Sequence, residues 1–129
     1  MTDDPRRKFL RIALRSLALF LIFGLYPMTI VWPAGWAWTV GESDYLEMIV
    51  AMYATLGVFL WIAARDPDRH RSLVSFAIWS SIAHGSVMSI QVFADPARSG
   101  HLSGDIPALF LAAAVLAILS PSSFWLKTD

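Results

Sequence analysis

The residues best placed to do chemistry lie on one face of a single apolar segment, residues 72–95. At 3.6 residues per turn, five polar or polarisable side chains of this segment fall on one narrow stripe. The stripe consists of Ser81, His84, Met88, Gln91 and Asp95. His84 stands near the middle of the segment, which is long enough to cross a bilayer. Because lipid offers no hydrogen bonds, we expect the stripe to face protein or trapped water.

An imidazole inside a membrane has both functional and structural uses. A functional His84 would be a member of a proton relay, a metal ligand, or an axial ligand of haem or chlorin. A structural His84 would be neutral and hydrogen-bonded to a serine hydroxyl or a backbone carbonyl. No second histidine lies three or four residues away to complete a metal-binding pair. The spacing therefore favours the structural interpretation, and no cofactor is required.

A second group of candidates lies outside the stripe, at the ends of the other apolar segments. These residues, Glu47, His101 and Asp105, join Asp95 in a predicted acidic mouth. Carboxylates of this kind are the ligands that a hard divalent cation prefers. The alternative is that Asp105 caps the last helix while Glu47 and Asp95 lie in water. The sequence leaves both interpretations open.

The usual catalytic sets are missing from the sequence. The chain has no cysteine, and Ser81 with His84 on one helix makes a hydrogen bond rather than an activated nucleophile. It has no glycine loop that could cradle a phosphate and no dinucleotide fingerprint. We therefore do not expect an enzyme. Nor do we expect nucleic-acid binding, because the basic residues are placed as in a membrane orientation signal.

Composition predicts an integral membrane protein of one domain, residues 1–129. Hydrophobic residues make up 57% and charged residues 16%, against about 45–50% and 25% in a soluble domain. The expected fold is all-α, an antiparallel bundle of four membrane-spanning helices. The approximate predicted spans are residues 14–32, 45–64, 73–93 and 104–120. Pro27 should disturb the first span, and the last apolar run, Ile106 to Leu119, is short for a bilayer.

Charge predicts how the chain is threaded. Four spans place the N-terminus, the turn at residues 65–71 and the C-terminus on one side of the membrane, and these regions hold nine of the ten Lys and Arg residues. The exception is Arg98. By the positive-inside rule, the basic side is cytoplasmic, which puts both termini inside a bacterial inner membrane. Arg65, Arg69 and Arg71 in the turn could also bind anionic lipid headgroups.

Two stretches carry a resemblance to known proteins. They are ARDPDRHRSLVSFAIWSSIAHGSVMSIQ, from Ala64 to Gln91, and GHLSGDIPAL, from Gly100 to Leu109. Together they resemble a group of small four-span bacterial membrane proteins that share a domain of unknown function. The resemblance covers roughly residues 45–121 and brings no activity or cofactor with it. It implies a shared pattern of seven residues: His70, Ser72, Trp79, His84, His101, Asp105 and Pro107.

Two functional hypotheses follow from these patterns. In the first, the protein is a non-enzymatic accessory or assembly subunit, in a homo-oligomer or a larger membrane complex. The second predicted span supports this hypothesis, because it carries a face of small residues that includes Ala51, Ala54 and Gly57. In the second, it handles a small ligand, a metal, haem or protons through the stripe around His84, entered past Glu47. A solvent-connected cavity that reaches His84 would favour the second hypothesis, and a tightly packed His84 would favour the first.

Overall fold

The computed structural model describes residues 4–38 and 43–126, and within these residues every regular element is helical. The α-helices are α1 (Pro5–Leu19), α2 (Leu25–Val31), α3 (Pro33–Trp36), α4 (Asp44–Ala63), α5 (Arg71–Ala94) and α6 (Asp105–Leu119). A π-helical turn, Phe20–Gly24, joins α1 to α2. Short 3₁₀ helices cover Pro67–His70, Pro96–Ser103 and Ser122–Phe124.

Three helical stretches are long and apolar enough to cross a membrane: Pro5–Val31, Asp44–Ala63 and Pro67–Ala94. A fourth arises if the 3₁₀ helix Pro96–Ser103 is counted together with α6, to which it is bent by 40°. Three or four such stretches in so short a chain are typical of a multi-pass membrane protein. The prediction of an all-helical chain with apolar spans is therefore confirmed in this coarse form.

The first helical stretch differs from its predicted bounds. It begins at Pro5 rather than near residue 14, because Asp4 caps it by accepting a hydrogen bond from the Arg6 backbone amide over 3.1 Å. The backbone is disturbed just before Pro27, where the Leu25 amide bonds to the Phe20 carbonyl in a π-helical turn. Such turns break the regular helical register and are frequent at functional sites.

The last helix, α6, is as short as the sequence predicts. It begins at Asp105 and does not extend back to Leu102 as an α-helix. Its 15 residues rise about 22 Å, against about 30 Å for the hydrocarbon layer. The chain before it runs instead as the 3₁₀ helix Pro96–Ser103, at an angle to α6.

The helices pack in two pairs, α1 against α4 and α5 against α6, and α1 also contacts α6. Gly57 lets α4 approach α1 closely, because a Cβ atom there would lie 2.9 Å from the Ala18 carbonyl oxygen. Part of the small-residue face predicted on α4 is thus used within the chain, as membrane helices commonly use such residues. Ala51, on the same predicted face, is exposed.

Apart from Arg98, the described basic residues gather at one end of the molecule, which we call the basic end. Arg7 pairs with Asp68 of the turn over 2.7 Å, and Arg6 Nε donates to the Ile118 carbonyl over 3.0 Å. Lys127, one of the ten basic residues, lies outside the described residues. At the opposite end, the loop end, the backbone of Gly104 lies against that of Gly35, so a Cβ at position 104 would collide with the Gly35 carbonyl oxygen.

Packing is dense in the half of the molecule near the basic end. The largest fully buried apolar side chains there form one cluster: Leu10, Leu14, Leu60, Val74, Ile78 and Leu116. A smaller cluster of Met88, Val92 and Ile106 lies toward the loop end. Between the two clusters the helices leave a cavity, and the stripe predicted from the sequence borders it.

Candidate functional site

A cavity of about 420 Å³ lies among α1, α4, α5 and α6 in the half near the loop end. Its walls are mostly apolar, with a few polar groups, as in small-molecule sites of similar volume. On α4 it extends from Tyr45 to Leu56, which is about 16 Å at 1.5 Å per residue. Trp36 and Trp38 border it at the loop end. The cavity is therefore long and reaches well into the spans.

Four of the five predicted stripe residues line this cavity: Ser81, His84, Met88 and Gln91. They come together because residues three and four apart share one face of α5. Asp95 does not line the cavity, because it follows the last residue of α5 and is exposed. The stripe thus ends at Gln91, one turn before the position expected from the sequence.

His84 is hydrogen-bonded to the hydroxyl of Tyr53, which projects from α4. The two rings are stacked, with centroids 5.8 Å apart and planes 15° from parallel. Both residues are half-buried and both line the cavity. The bond therefore bridges two helices that otherwise touch little. Tyr53, rather than the serine or backbone carbonyl named in the structural interpretation, is the partner of His84.

The other stripe residues have separate roles. Ser81 Oγ donates to the Ala77 carbonyl over 2.7 Å on its own helix, so it is not the partner of His84. Met88 is buried and packs with Val92 and Ile106. Gln91 is exposed where it borders the cavity. Of the four stripe residues that line the cavity, only His84 has a hydrogen bond to another helix among the described residues.

The mouth of the cavity is marked by its exposed lining residues. Tyr45 is 78% exposed and Ile49 47% exposed on α4. Gln91 on α5 and Arg98 after it are the other exposed residues of the lining. Glu47, which was predicted at the entrance, is exposed but does not line the cavity. The mouth therefore opens between α4 and α5, and not past Glu47.

Asp105 is the centre of a buried polar cluster at the loop end. Its Oδ1 accepts a hydrogen bond from His101 Nδ1 over 2.9 Å, and its Oδ2 accepts one from Trp38 Nε1 over 2.8 Å. His101 is 3% exposed and stacks on Trp38, with ring centroids 4.0 Å apart. The prediction that Asp105 caps the last helix is wrong, because Asp105 is the first residue of α6 and its carboxylate bonds to these side chains instead.

The remaining residues of the acidic mouth lie apart from this cluster. Asp95 caps the 3₁₀ helix by accepting from the Ala97 amide, and it pairs with Arg98 over 3.3 Å. Arg98 also lies over the Trp38 ring, 5.4 Å from its centroid. Within the described residues, no group of three His, Asp or Glu side chains is arranged to hold a metal ion. A cation at Glu47, Asp95 and Asp105 has no geometric support there.

The arginines of the 65–71 turn lie at the basic end, away from the cavity. Arg65 and Arg69 are exposed, and Arg69 pairs with Asp66 over 3.2 Å. Arg71 Nε donates to the Asp68 carbonyl over 3.1 Å, and its guanidinium lies over the Phe124 ring. Binding of lipid headgroups by these three residues stays a prediction.

Two important residues of the site were missed in the sequence. Tyr53 lies within an apolar span, nine residues past the start of α4, rather than at an interface where tyrosine usually lies. That position is a usable signal, since a buried tyrosine hydroxyl normally has a partner. Trp38 lies close to Trp32 and Trp36 in the sequence, a pattern typical of a membrane interface. No sequence signal indicates that its indole would bond to a carboxylate 67 residues away.

Comparison with known proteins adds a family but no activity. No curated protein matches the chain, and no solved structure matches it. A model of a family of unknown function, DUF6632, matches residues 4–128. The match covers nearly the whole chain, including every residue of the cavity and of the Asp105 cluster. The chain therefore belongs to this family of unknown function.

Proposed function

We propose that this protein is a non-enzymatic, four-span protein of the bacterial inner membrane that binds a small amphipathic ligand in the cavity beside His84. The observation that carries the proposal is the hydrogen bond between Tyr53 and His84 on the cavity wall. A polar pair deep in a membrane is costly and is a functional candidate by default. Here it borders about 420 Å³ of space rather than a packed core.

The four-span arrangement, an antiparallel bundle with both termini in the cytoplasm, is part of this proposal. It is supported by the contacts at the basic end, where Arg7 meets Asp68 and Arg6 meets the end of α6. It is also supported at the loop end, where Trp38 meets Asp105. An even number of spans would bring these segments together in this way, and the positive-inside rule would put the basic end in the cytoplasm.

The chemistry of the cavity favours binding over catalysis. His84 and Tyr53 bond to each other rather than forming an activated nucleophile, and Ser81 bonds to its own helix. Such an arrangement can orient a ligand through one or two hydrogen bonds, while the apolar walls supply most of the affinity. Nε2 of His84 makes no hydrogen bond to a described residue, so it is the atom that would ligate haem or chlorin. Such a ligand would show a visible absorption band.

An accessory or assembly subunit is the second candidate function. The exposed aromatic residues on the spans, such as Phe23 and Phe93, suit either lipid or a neighbouring protein. The small residue Gly57, part of the original reason for expecting an oligomer, packs against α1 within the chain. The cavity is not needed for such a role, so we place ligand binding first.

The test combines native mass spectrometry with absorption spectra of protein extracted in mild detergent. The wild type should carry a bound small molecule in an amount close to one per chain. His84→Leu and Tyr53→Phe should reduce that amount at least five-fold, because each removes one member of the pair. His70→Leu, the same substitution at the basic end, should leave it unchanged.

Each variant should first be checked for an unchanged far-ultraviolet circular dichroism spectrum. Tyr53→Phe removes one hydroxyl and keeps the ring, so it guards against a fold defect in His84→Leu. Equal ligand occupancy in all four proteins would contradict the proposal. A stable oligomer with no small molecule bound would instead support the accessory subunit.

A further inference from the structure

The direction in which the cavity opens indicates the route by which its ligand enters. Ile49 is five residues inside α4, about 7.5 Å along the helix from its start. Gln91 is three residues before the end of α5. Both are exposed lining residues, and both lie on helices apolar enough to cross a membrane. An opening between them faces the side of the molecule, where the acyl chains of a bilayer would lie, and Tyr45 and Arg98 form the edge of the same opening at the loop end.

The charges around the mouth disfavour an anionic ligand. Among the described residues that line the cavity, Arg98 is the one Lys or Arg, and it is paired with Asp95 over 3.3 Å. Asp105 also lines the cavity, and Asp44 and Glu47 are exposed at the start of α4. A carboxylate or phosphate head would find no free cation in this lining and several acidic groups near it. The polar head should therefore be uncharged.

The Tyr53–His84 pair leaves one donor free for the ligand. The neutral pair holds two polar hydrogens, the hydroxyl hydrogen of Tyr53 and one ring N–H of His84, and one of them joins the two residues. The other makes no hydrogen bond to a described residue in either tautomer. A ligand with a carbonyl or hydroxyl oxygen at this depth would accept it. Without a ligand, only water in the cavity could accept this hydrogen, and a donor left unpaired inside the membrane costs free energy.

Beyond the pair, the cavity ends in apolar side chains. Leu17, Leu56, Ala77 and Ala112 line its inner part, and each of them is buried or half-buried. Such a floor suits a hydrocarbon chain and offers nothing to a polar group.

We propose that the ligand is an uncharged lipid with one hydrocarbon chain, which enters sideways from the bilayer between Ile49 and Gln91. Its carbonyl or hydroxyl oxygen accepts the free hydrogen of the Tyr53–His84 pair, and its chain lies toward Leu56, Ala77 and Ala112. The proposal rests on the proposed function and adds the ligand class and its route. Quinones and monoacylglycerols share this chemistry, and the experiment below separates them.

The test uses a monoacylglycerol whose chain ends in a photoreactive diazirine, added to the full chain in lipid nanodiscs. Illumination should attach the probe to peptides that contain Leu56, Ala77 or Ala112, as mapped by mass spectrometry. Tyr53→Phe should lower this labelling about five- to ten-fold at a limiting probe concentration. A fatty acid with the same diazirine chain should label these peptides at least five-fold less, because its head is anionic.

The route is tested with a matched pair of bulky substitutions on α4. Ile49→Trp should fill the mouth and lower labelling of the cavity floor at least five-fold. Met52→Trp adds the same ring on the exposed surface outside the lining, so it should leave labelling unchanged. Competition by unlabelled decylubiquinone or by unlabelled monoolein then distinguishes quinones from monoacylglycerols. The class to which the natural ligand belongs should suppress labelling at the lower concentration.

Three outcomes would overturn this inference. They are labelling confined to lipid-facing residues such as Phe93, stronger labelling by the fatty acid, or equal labelling of Ile49→Trp and Met52→Trp. The proposed function would survive any of them if the extracted protein still carried a ligand of another class that depends on His84. The proposed function itself would fail if the wild-type cavity were empty, and native mass spectrometry would show this directly.

Discussion

The indole nitrogen of Trp38 donates a hydrogen bond to Oδ2 of Asp105 over 2.8 Å and so ties the segment after the first span to the start of α6. The other oxygen of the same carboxylate accepts from His101. Trp38 and Asp105 both line the cavity, so this bond holds part of its wall at the loop end. A buried carboxylate is costly unless its oxygens are hydrogen-bonded, and here both are.

Asp105→Ala should destabilise the protein more than any single substitution at the exposed loop residues. It leaves the Trp38 and His101 donors without their acceptor, and each buried unpaired donor costs about 1–3 kcal/mol. We expect a loss of about 2–5 kcal/mol in the free energy of unfolding. Thermal unfolding in detergent, followed by circular dichroism, would measure it.

Asp44→Ala provides the control for this prediction, since Asp44 is exposed in the first turn of α4 and Ser43 supplies the cap. Its cost should stay below about 1 kcal/mol. Trp38→Phe should have an intermediate effect, because it removes one hydrogen bond and keeps a ring against His101. Equal melting temperatures for Asp105→Ala and Asp44→Ala would contradict the role given to the carboxylate.

Gly57→Leu should separate α4 from α1. A Cβ atom at this position would lie 2.9 Å from the Ala18 carbonyl oxygen and 2.8 Å from Ile22 Cγ1, so backbone must move. Overpacking of this kind typically costs about 1–3 kcal/mol, even though leucine has the higher helix propensity. Ala51→Leu, on the exposed face of the same helix, should cost less than about 0.5 kcal/mol. A Gly57→Leu protein as stable as Ala51→Leu would show that the two helices are not closely packed there.

The spans and the stripe were predictable because hydrophobicity and helical periodicity are local properties of the sequence. Ser81, His84, Met88 and Gln91 share a face whatever the rest of the chain does. The bounds of α4 and α5 also follow from runs of apolar residues between Pro- and charge-rich turns. The start of the first helix was harder to predict from the sequence, because the basic residues after Pro5 form an exposed, charged extension of the apolar span.

The partners of these residues could not be predicted, because they depend on which helices lie next to one another. His84 meets Tyr53 from a position 31 residues earlier, and Trp38 meets Asp105 from 67 residues earlier. Nothing in the periodicity of α5 says which neighbour faces its stripe. The role of Asp105 was mistaken for the same reason, since a helix cap is a local explanation and the observed bonds are not.

Asp68→Asn should have little effect on stability, although the Arg7–Asp68 pair joins the N-terminal helix to the turn before α5 over 2.7 Å. Both side chains are partly exposed, at 56% and 31%, so water screens the attraction. Pairs of this kind contribute about 0.2–1 kcal/mol. We expect a change in that range at low salt, and a smaller one in 0.5 M sodium chloride. A loss above about 2 kcal/mol would mean that the pair is far better shielded from water than its exposed fractions indicate.

The proposed threading predicts opposite labelling of the two ends of the molecule. The chain has no cysteine, so a single introduced thiol reports on one position alone. Ser99→Cys and Ser122→Cys both replace exposed serines, the first at the loop end and the second at the basic end. The reagent is a maleimide that crosses the outer membrane but not the inner membrane. In intact bacterial cells, it should label Ser99→Cys at least ten-fold faster than Ser122→Cys.

Breaking the cells open provides the control for this experiment, since both thiols should then react at similar rates. Fast labelling of Ser122→Cys in intact cells, with Ser99→Cys protected, would reverse the orientation. Fast labelling of both thiols in intact cells would place the two positions on the same side of the membrane. In that case α6 would not cross the bilayer. Since α6 rises only about 22 Å, this experiment tests the shortest of the four proposed spans directly.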